Sequence, residues 1–372
     1  MIDLISSNTE ILKWLFEKKS INALEWKDIY IGHIRPQKVN TDRVVGMLLG
    51  VAIGDSLGNT SEILTPDQRN KKYGLIKSYL PNKHASNKRI GLPSDDTQLT
   101  FDTVKVILET GSVNPTALAR IFASHHIDGL GGTVKQFLKN YREEGLPWYK
   151  TGTAKASNGS LMRISPVIIP NLKSKENFLV DAILDTMMTH NDPLAIASSV
   201  AFTDMLWTFV NNEKTINRNK IIERFCFIIE KVTGNETYET RDIGTKYKGD
   251  AATFIKEQIY KAIEDDLEVK EFGKKVGSGA FLLETVPTAI YIISKFLDDP
   301  QNAIIQAVNF TKDNDTIASI VGAAMGSLHG KSAFRKEWIA DLSGRLLRHS
   351  RDKEIFELLK SVENYIDSGL KK

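Results

Sequence analysis

Two short stretches, far apart in the chain, are rich in side chains that end in oxygen. The first is Ser94-Asp95-Asp96-Thr97, and the second is Asp313-Asn314-Asp315-Thr316. An apolar helical pattern follows each stretch, so we expect each to open a helix, with Ser94 as the N-cap of the first. Helix N-termini favour acidic residues, and one such stretch alone is typical of a capped surface helix. Two of them together supply the hard oxygen ligands that Mg²⁺ or Ca²⁺ requires.

Two further carboxylates accompany a long apolar segment at 42–58. Within it, glycine recurs at every fourth position, at Gly46, Gly50 and Gly54. On a helix this spacing forms a flat stripe of small residues that a second helix can approach closely. Asp55 ends this helix and Glu62 follows a glycine turn. Both are candidate site residues, although acidic residues in exposed loops are common.

A turn-rich segment at 151–166 contains Ser157-Asn158-Gly159-Ser160-Leu161-Met162-Arg163. An Asn-Gly pair that enters a helix presents backbone N–H groups, which suit a phosphate or a ribose oxygen. Arg163 could pair with an anion. Turns use the same residue types, so this segment does not identify a site by itself.

The rest of the chain reads as a succession of helices. Apolar residues recur with helical period at 8–19, 115–124, 178–188, 193–210, 220–232, 251–265, 281–296 and 317–328. We find neither a run of alternating strands nor a fixed-period repeat. The sequence therefore predicts an all-α fold.

Composition excludes several classes of protein. The chain has 372 residues, of which 41% are hydrophobic and 26% charged, and a net charge of +3, which favours neither nucleic acid nor an anionic membrane as a partner. Cys226 is the only cysteine, so neither an internal disulfide nor a thiolate metal site is expected. The start lacks the pattern of a signal peptide, and no apolar run approaches the roughly 20 residues that span a bilayer. We expect a cytoplasmic protein.

The first residues form a separate segment, 1–41, ahead of a domain at 42–372. This N-terminal extension carries Trp14, Phe16, Trp26 and Tyr30. Aromatic side chains at this density require burial, either on the body of the protein or on a partner. Both alternatives are open at the level of sequence.

Taken in order, these motifs resemble the signature of the ADP-ribosylglycohydrolases, a family that includes the dinitrogenase reductase-activating glycohydrolase. The motifs are Gly50-x-Ala52-x-Gly54-Asp55-Ser56-x-Gly58 followed by Glu62, Ser94-Asp95-Asp96-Thr97, Asn158-Gly159-Ser160-x-Met162-Arg163, Thr189-His190 and Asp313-x-Asp315-Thr316. The resemblance covers roughly residues 42 to 345. Five motifs in the same order make an accidental match improbable.

The resemblance implies an all-helical hydrolase that removes ADP-ribose from modified protein side chains with the help of two Mg²⁺ or Mn²⁺ ions. The metal ligands that it implies are Ser94, Asp95, Asp96, Asp313, Asp315 and Thr316. Glu62 and Asp96 are its catalytic candidates, and Glu62 would orient a water or act as a base. The residues expected to bind substrate are Asn158, Gly159, Ser160 and His190. Because a guanidinium suits this cleavage as a leaving group, ADP-ribosyl-arginine is the favoured linkage. The sequence itself does not distinguish arginine from serine or from a free small molecule.

The chain departs from the family pattern at two places. Ser157 stands where the family usually has a glycine, and Thr311-Lys312 replaces a usual glycine pair. An ammonium beside two metal ions is repulsive unless it points away. One alternative is therefore a binding module of the same fold that has lost turnover and inhibits a partner directly. A further hypothesis is an immunity protein, which would counter an ADP-ribosylating toxin and contact that ADP-ribosyltransferase through residues 1–41.

Overall fold

Helices make up nearly all of the regular structure in the computed structural model, which describes residues 7–23, 39–173, 178–211, 216–241, 244–347 and 350–369. The α-helices are α1 (Asn8–Glu17), α2 (Thr41–Gly58), α3 (Pro66–Tyr73), α4 (Asp95–Thr110), α5 (Pro115–Phe122), α6 (Gly132–Leu138), α7 (Phe178–Thr189), α8 (Pro193–Asn211), α9 (Arg218–Thr233), α10 (Ala251–Glu264), α11 (Val269–Val276), α12 (Leu282–Lys295), α13 (Pro300–Phe310), α14 (Asn314–His329), α15 (Lys336–Ala340) and α16 (Glu354–Asp367). One antiparallel pair of short strands joins them, β1 (Tyr238–Glu239) and β2 (Lys248–Gly249). The all-α prediction is confirmed.

Helices α2 and α14 form the centre of the molecule and run antiparallel at very short range. A Cβ atom on Gly50 would lie 2.0 Å from the Gly322 carbonyl oxygen, and one on Gly54 would lie 2.1 Å from that of Ala318. Only glycine allows two backbones to approach this closely. The contact places the C-terminal end of α2, with Asp55, beside the N-terminal end of α14, with Asp315.

The remaining helices enclose this pair, and α8, α12 and α13 all pack on α14. Helix α8 is long and apolar enough to cross a membrane by length and composition alone, a match that the sequence analysis did not anticipate. In the fold, however, 89% of its apolar stretch is buried, as in the core helix of a globular domain. Cys226 is buried on α9 as a free thiol.

The described part of the N-terminal extension, residues 7–23, lies against the body of the domain. Leu12 and Leu15 are completely buried, and the Trp14 ring meets the Tyr149 ring edge-on at 5.3 Å between centroids. Asn8 donates hydrogen bonds to the Val113 carbonyl and to a carboxylate oxygen of Asp181. Phe16 also packs against the core, whereas Trp26 and Tyr30 lie outside the described residues.

Candidate active site

Three helix ends bring the predicted acidic residues together. One carboxylate oxygen from each of Asp55, Asp96 and Asp315 lies within 4.8 Å of the others, and the same holds for Glu62, Asp313 and Asp315. Asp55 belongs to the end of α2, whereas the other aspartates belong to the starts of α4 and α14. Asp315 is common to both groups, so the two clusters are contiguous.

Asp55 caps helix α4 from outside that helix. Its carboxylate accepts hydrogen bonds from the backbone N–H of Ser94 at 2.8 Å and of Thr97 at 3.3 Å, and from both of their hydroxyls. Ser94 occupies the N-cap position, as the sequence predicted, although its side chain makes no capping bond within α4. Because the Ser94 hydroxyl proton is donated to Asp55, its lone pairs stay available for a metal ion.

The electrostatics of the cluster are those of a cation site. Burial raises the pKa of Asp95 to about 7, with the charges of Asp55 and Glu62 adding to the effect. Burial, followed by the charges of neighbouring carboxylates, also raises the pKa of Asp96 and that of Asp315 well above their usual range. The Oδ1 atom of Asp96 is buried without a hydrogen-bond partner. A donor set made only of oxygen, crowded and incompletely satisfied, fits a divalent cation.

Glu62 stands on an exposed loop at the edge of this cluster, and a buried arginine holds that loop in place. The Arg69 guanidinium donates to the Ser61 hydroxyl at 3.0 Å, to the Leu64 carbonyl at 2.9 Å and to the Thr311 carbonyl at 2.9 Å. The Glu62 loop is therefore tied to the chain just before α14. Sequence reasoning missed Arg69, because it reads as one more cation in a basic surface stretch.

The Asn158-Gly159 turn is attached directly to the acidic cluster. The Asn158 side-chain amide donates to Asp313 Oδ2 at 2.7 Å and to the Thr285 hydroxyl at 3.1 Å. At Gly159, a Cβ atom would lie only 3.1 Å from Cε1 of His190. The glycine thus allows the turn to lie against the histidine ring.

His190 lines the same cleft as a neutral ring. Burial and the charge of Arg163 lower its pKa to about 3. Its Nδ1 lies 2.8 Å from the Thr189 hydroxyl, and its Nε2 lies 3.0 Å from the hydroxyl of Ser157. The Ser157 hydroxyl also meets the Thr133 hydroxyl at 3.1 Å. The serine therefore extends a hydrogen-bond network beneath the cleft.

Two residues of this motif do not face the cleft. The Ser160 hydroxyl is completely buried and pairs with that of Ser199 at 3.3 Å, so the prediction that Ser160 contacts substrate is not supported by its position. Arg163 is also completely buried, where it pairs with Asp185 and donates to the Thr189 hydroxyl. Arg163 therefore pairs with an anion inside the protein, the Asp185 carboxylate, and not with a ligand in the cleft. The tight local turn directs both side chains inward.

These groups surround a cleft of about 440 Å³. Its walls include the predicted residues Asp95, Asp96, Asp313, Asp315, Thr316, Glu62, Asn158, Gly159 and His190. Three cations, Lys155, Arg241 and Lys312, line the same cleft, and Arg241 lies 4.9 Å over the Phe281 ring. Sequence reasoning identified only Lys312 among them. The cleft thus combines an acidic floor with positive charge at its wall.

Comparison with known proteins agrees with this arrangement. The ADP-ribosylglycohydrolase family model matches residues 36–367. The ADP-ribosyl-[dinitrogen reductase] glycohydrolase of Rhodospirillum rubrum is 22% identical over 316 residues, which cover 83% of this chain and 93% of that protein. ADP-ribosylarginine hydrolase Tri1 of Serratia proteamaculans is 22% identical over 318 residues, which cover 82% and 77%. The solved structure of an ADP-ribosylglycohydrolase-related protein complex superposes with a TM-score of 0.63 at 17% identity, over 87% of this chain and 98% of that one.

Proposed function

Because this chain belongs to the ADP-ribosylglycohydrolase family, we propose that it is a hydrolase that removes ADP-ribose from modified arginine side chains of proteins. The observation that carries the proposal is the convergence of the acidic cluster and the Asn158-Gly159 turn on one cleft. The name of the Serratia relative, an ADP-ribosylarginine hydrolase, supports arginine as the linkage.

We propose that the acidic cluster holds two divalent cations, Mg²⁺ or Mn²⁺. The residues that would hold them are Ser94, Asp95, Asp96, Asp313, Asp315 and Thr316. When bound, such cations would supply Lewis-acid polarisation of substrate oxygens. Asp55 would take part indirectly, because its hydrogen bonds to Ser94 and Thr97 fix the start of α4.

The side chains of this protein account for the remaining chemistry. The bond between C1′ of the ribose and the guanidine nitrogen breaks with its electron pair passing to nitrogen, which leaves positive charge on the ribose ring. The Asp96 carboxyl lines the same cleft, and Glu62 orients the attacking water and accepts its proton. A carboxylate oxygen of Glu62 lies within 4.8 Å of those of Asp313 and Asp315, so Glu62 can reach a water at the cluster. The proton then passes to the leaving nitrogen, and the water's OH becomes the new substituent on C1′.

The diphosphate of the substrate would lie along the other wall of the cleft. Lys155, Arg241 and Lys312 supply positive charge there, and the backbone at Gly159 permits close approach. This role would explain how Lys312 is tolerated beside an acidic site, since the ammonium faces an anionic substrate. The neutral His190 adds no charge to the pocket.

We also propose an immunity role, in which the substrate is a protein modified by an ADP-ribosylating toxin and the hydrolase works in the cytoplasm. Residues 1–41 would then contact the toxin. Trp14 and Phe16 pack on the body of the domain, so this contact would depend on other residues of the extension. The second candidate function is a binding module without turnover, which the unusual Lys312 favours.

Mass spectrometry of an arginine-ADP-ribosylated protein after incubation with this enzyme tests the proposal. Hydrolysis of the glycosidic bond returns the arginine to its unmodified mass and releases ADP-ribose. Release of AMP with a phosphoribosyl group left on the protein would instead indicate cleavage of the diphosphate. EDTA should stop the reaction, and excess Mg²⁺ should restore it.

Asp315→Asn provides the matched control, since it replaces one proposed ligand carboxylate by an amide of nearly the same volume. We expect loss of turnover in this variant. If the wild-type protein binds ADP-ribose but releases none from the modified protein, with or without Mg²⁺, the binding module is the better description.

A further inference from the structure

A second cavity adjoins the catalytic cleft and shares two of its lining residues. It measures about 720 Å³ and contacts Glu62 and Gly129, which also line the cleft. Its other walls are different: they come from the end of α2, the loop before α4 and the segment at 345–347. The two cavities therefore meet at Glu62.

This second cavity is built on the same framework as the acidic cluster. Asn59, in its wall, donates to Asp55 Oδ1 at 2.8 Å and to the Leu92 carbonyl at 2.8 Å. Across the cavity, Asn82 caps the turn at His84 with a bond of 2.9 Å and pairs through its backbone with Lys88. The bond from Asn59 to Asp55 joins the cavity wall to the acidic cluster, so the position of the wall relative to the cluster is fixed.

We propose that this cavity receives the polypeptide that carries the ADP-ribosylated side chain. The inference rests on the proposed function, in which ADP-ribose fills the cleft beside Asn158 and Gly159. The leaving group is the modified side chain, which is attached at the glycosidic bond where Glu62 acts. It cannot occupy the volume that ADP-ribose fills. The adjoining cavity begins at Glu62, next to that bond, and can accept the polypeptide that carries the side chain.

The chemistry of the cavity suits a polypeptide. The exposed side-chain amide of Asn87 can pair with main-chain groups of an extended segment, and Lys83 supplies a cation for an acidic neighbour of the modified residue. Ile63 is 93% exposed at the rim, directly beside Glu62. An apolar side chain, a side-chain amide and a cation together suit a peptide. A small anion would be bound by the cation alone.

The test compares two substrates of the full-length enzyme in Mg²⁺: an arginine-ADP-ribosylated protein and free ADP-ribosyl-arginine. The variants are Lys83→Glu and Ile63→Asp, both at exposed positions. We expect the ratio of kcat/KM for the protein over that for the small substrate to fall by about tenfold, because contacts to the polypeptide are lost while those to ADP-ribose are kept.

Lys88→Glu is the matched control, since it makes the same charge change on the same loop, at an exposed position outside the cavity. Its ratio should equal that of the wild type. An unchanged ratio in both test variants, with a wild type active on both substrates, overturns the docking site and leaves the hydrolase intact. A wild type that cleaves neither substrate overturns the proposed function, and the docking site with it.

Discussion

Replacing Gly50 with alanine should destabilise the protein, although alanine is the better helix former. Gly50 lies at the middle of α2, where the carbonyl oxygen of Gly322 on α14 would be 2.0 Å from an added Cβ and the carbonyl carbon 2.4 Å. Ordinary van der Waals contact begins at 3.4 Å, so the two backbones would have to separate by more than 1 Å. Both obstructing atoms belong to the backbone and cannot rotate away.

The magnitude follows from two opposing contributions. Forcing a methyl group into a packed contact costs about 3 kcal/mol or more. Alanine recovers about 1 kcal/mol of helix propensity. The free energy of unfolding should therefore fall by at least about 2 kcal/mol, and the melting temperature by about 3 °C, given an unfolding entropy of about 2.1 cal/mol/K per residue. The separation would also move Asp55 relative to Asp315, so activity should fall as well.

Differential scanning calorimetry of the metal-free protein measures this effect without interference from bound cations. Gly132→Ala is the control for stability, because a Cβ atom on Gly132 would meet nothing within 4 Å. That variant should melt at the wild-type temperature or slightly above. A Gly50→Ala protein that melts as high as the wild type would show that the helices tolerate the methyl group, and the close-packing argument would be wrong.

Four further predictions concern the site, the core and the extension. Excess Mg²⁺ at 100 times its dissociation constant should stabilise the wild type by about 2.7 kcal/mol for each bound cation in calorimetry, and Asp315→Asn should lose most of that gain. Glu62→Gln should lower kcat strongly while Mg²⁺ affinity, measured by titration calorimetry, changes little; an equal loss of affinity would make Glu62 a ligand. Burial raises the pKa of Asp181 to about 6. Ionisation of Asp181 should therefore lower the free energy of unfolding by about 3 kcal/mol; the full loss is present above about pH 6 and none of it below about pH 4. Relative to Asp181→Asn, the wild type should therefore lose stability as pH rises from 4 to 6.5; parallel curves would contradict the assignment. Deleting residues 1–40 should lower the melting temperature, because Leu12 and Leu15 are completely buried and Asn8 bonds to Asp181; an unchanged melting temperature would show that the extension is dispensable for the fold.

The parts of this molecule that follow from local rules could be predicted from the sequence. Apolar periodicity located the helices, and the four-residue spacing of Gly46, Gly50 and Gly54 indicated a close helix contact before its partner was known. Acidic residues at two helix starts identified Asp95 and Asp315, because a helix N-terminus fixes where the first side chains lie.

The remaining features depend on tertiary contacts, which a single sequence does not reveal. Ser160 and Arg163 follow the Asn-Gly pair, but the direction of a side chain in an irregular turn is decided by what packs around it, and here both turn inward. Arg69 could not be recognised as a buried residue, since nothing in the local sequence distinguishes a buried cation from a surface one. Lys155 and Arg241 meet Lys312 only because distant segments converge on one cleft.

The position of Asp55 connects stability and chemistry in this fold. A carboxylate at the C-terminal end of a helix is disfavoured by the helix dipole, and burial further raises the pKa of Asp55. The start of α4 compensates, because its N–H groups and hydroxyls donate to that carboxylate. The dipole of α4 is favourable at the same point, so one helix end offsets the cost imposed by the other. Since the glycine contact with α14 sets where α2 ends, the packing of the core also determines where the clustered aspartates lie.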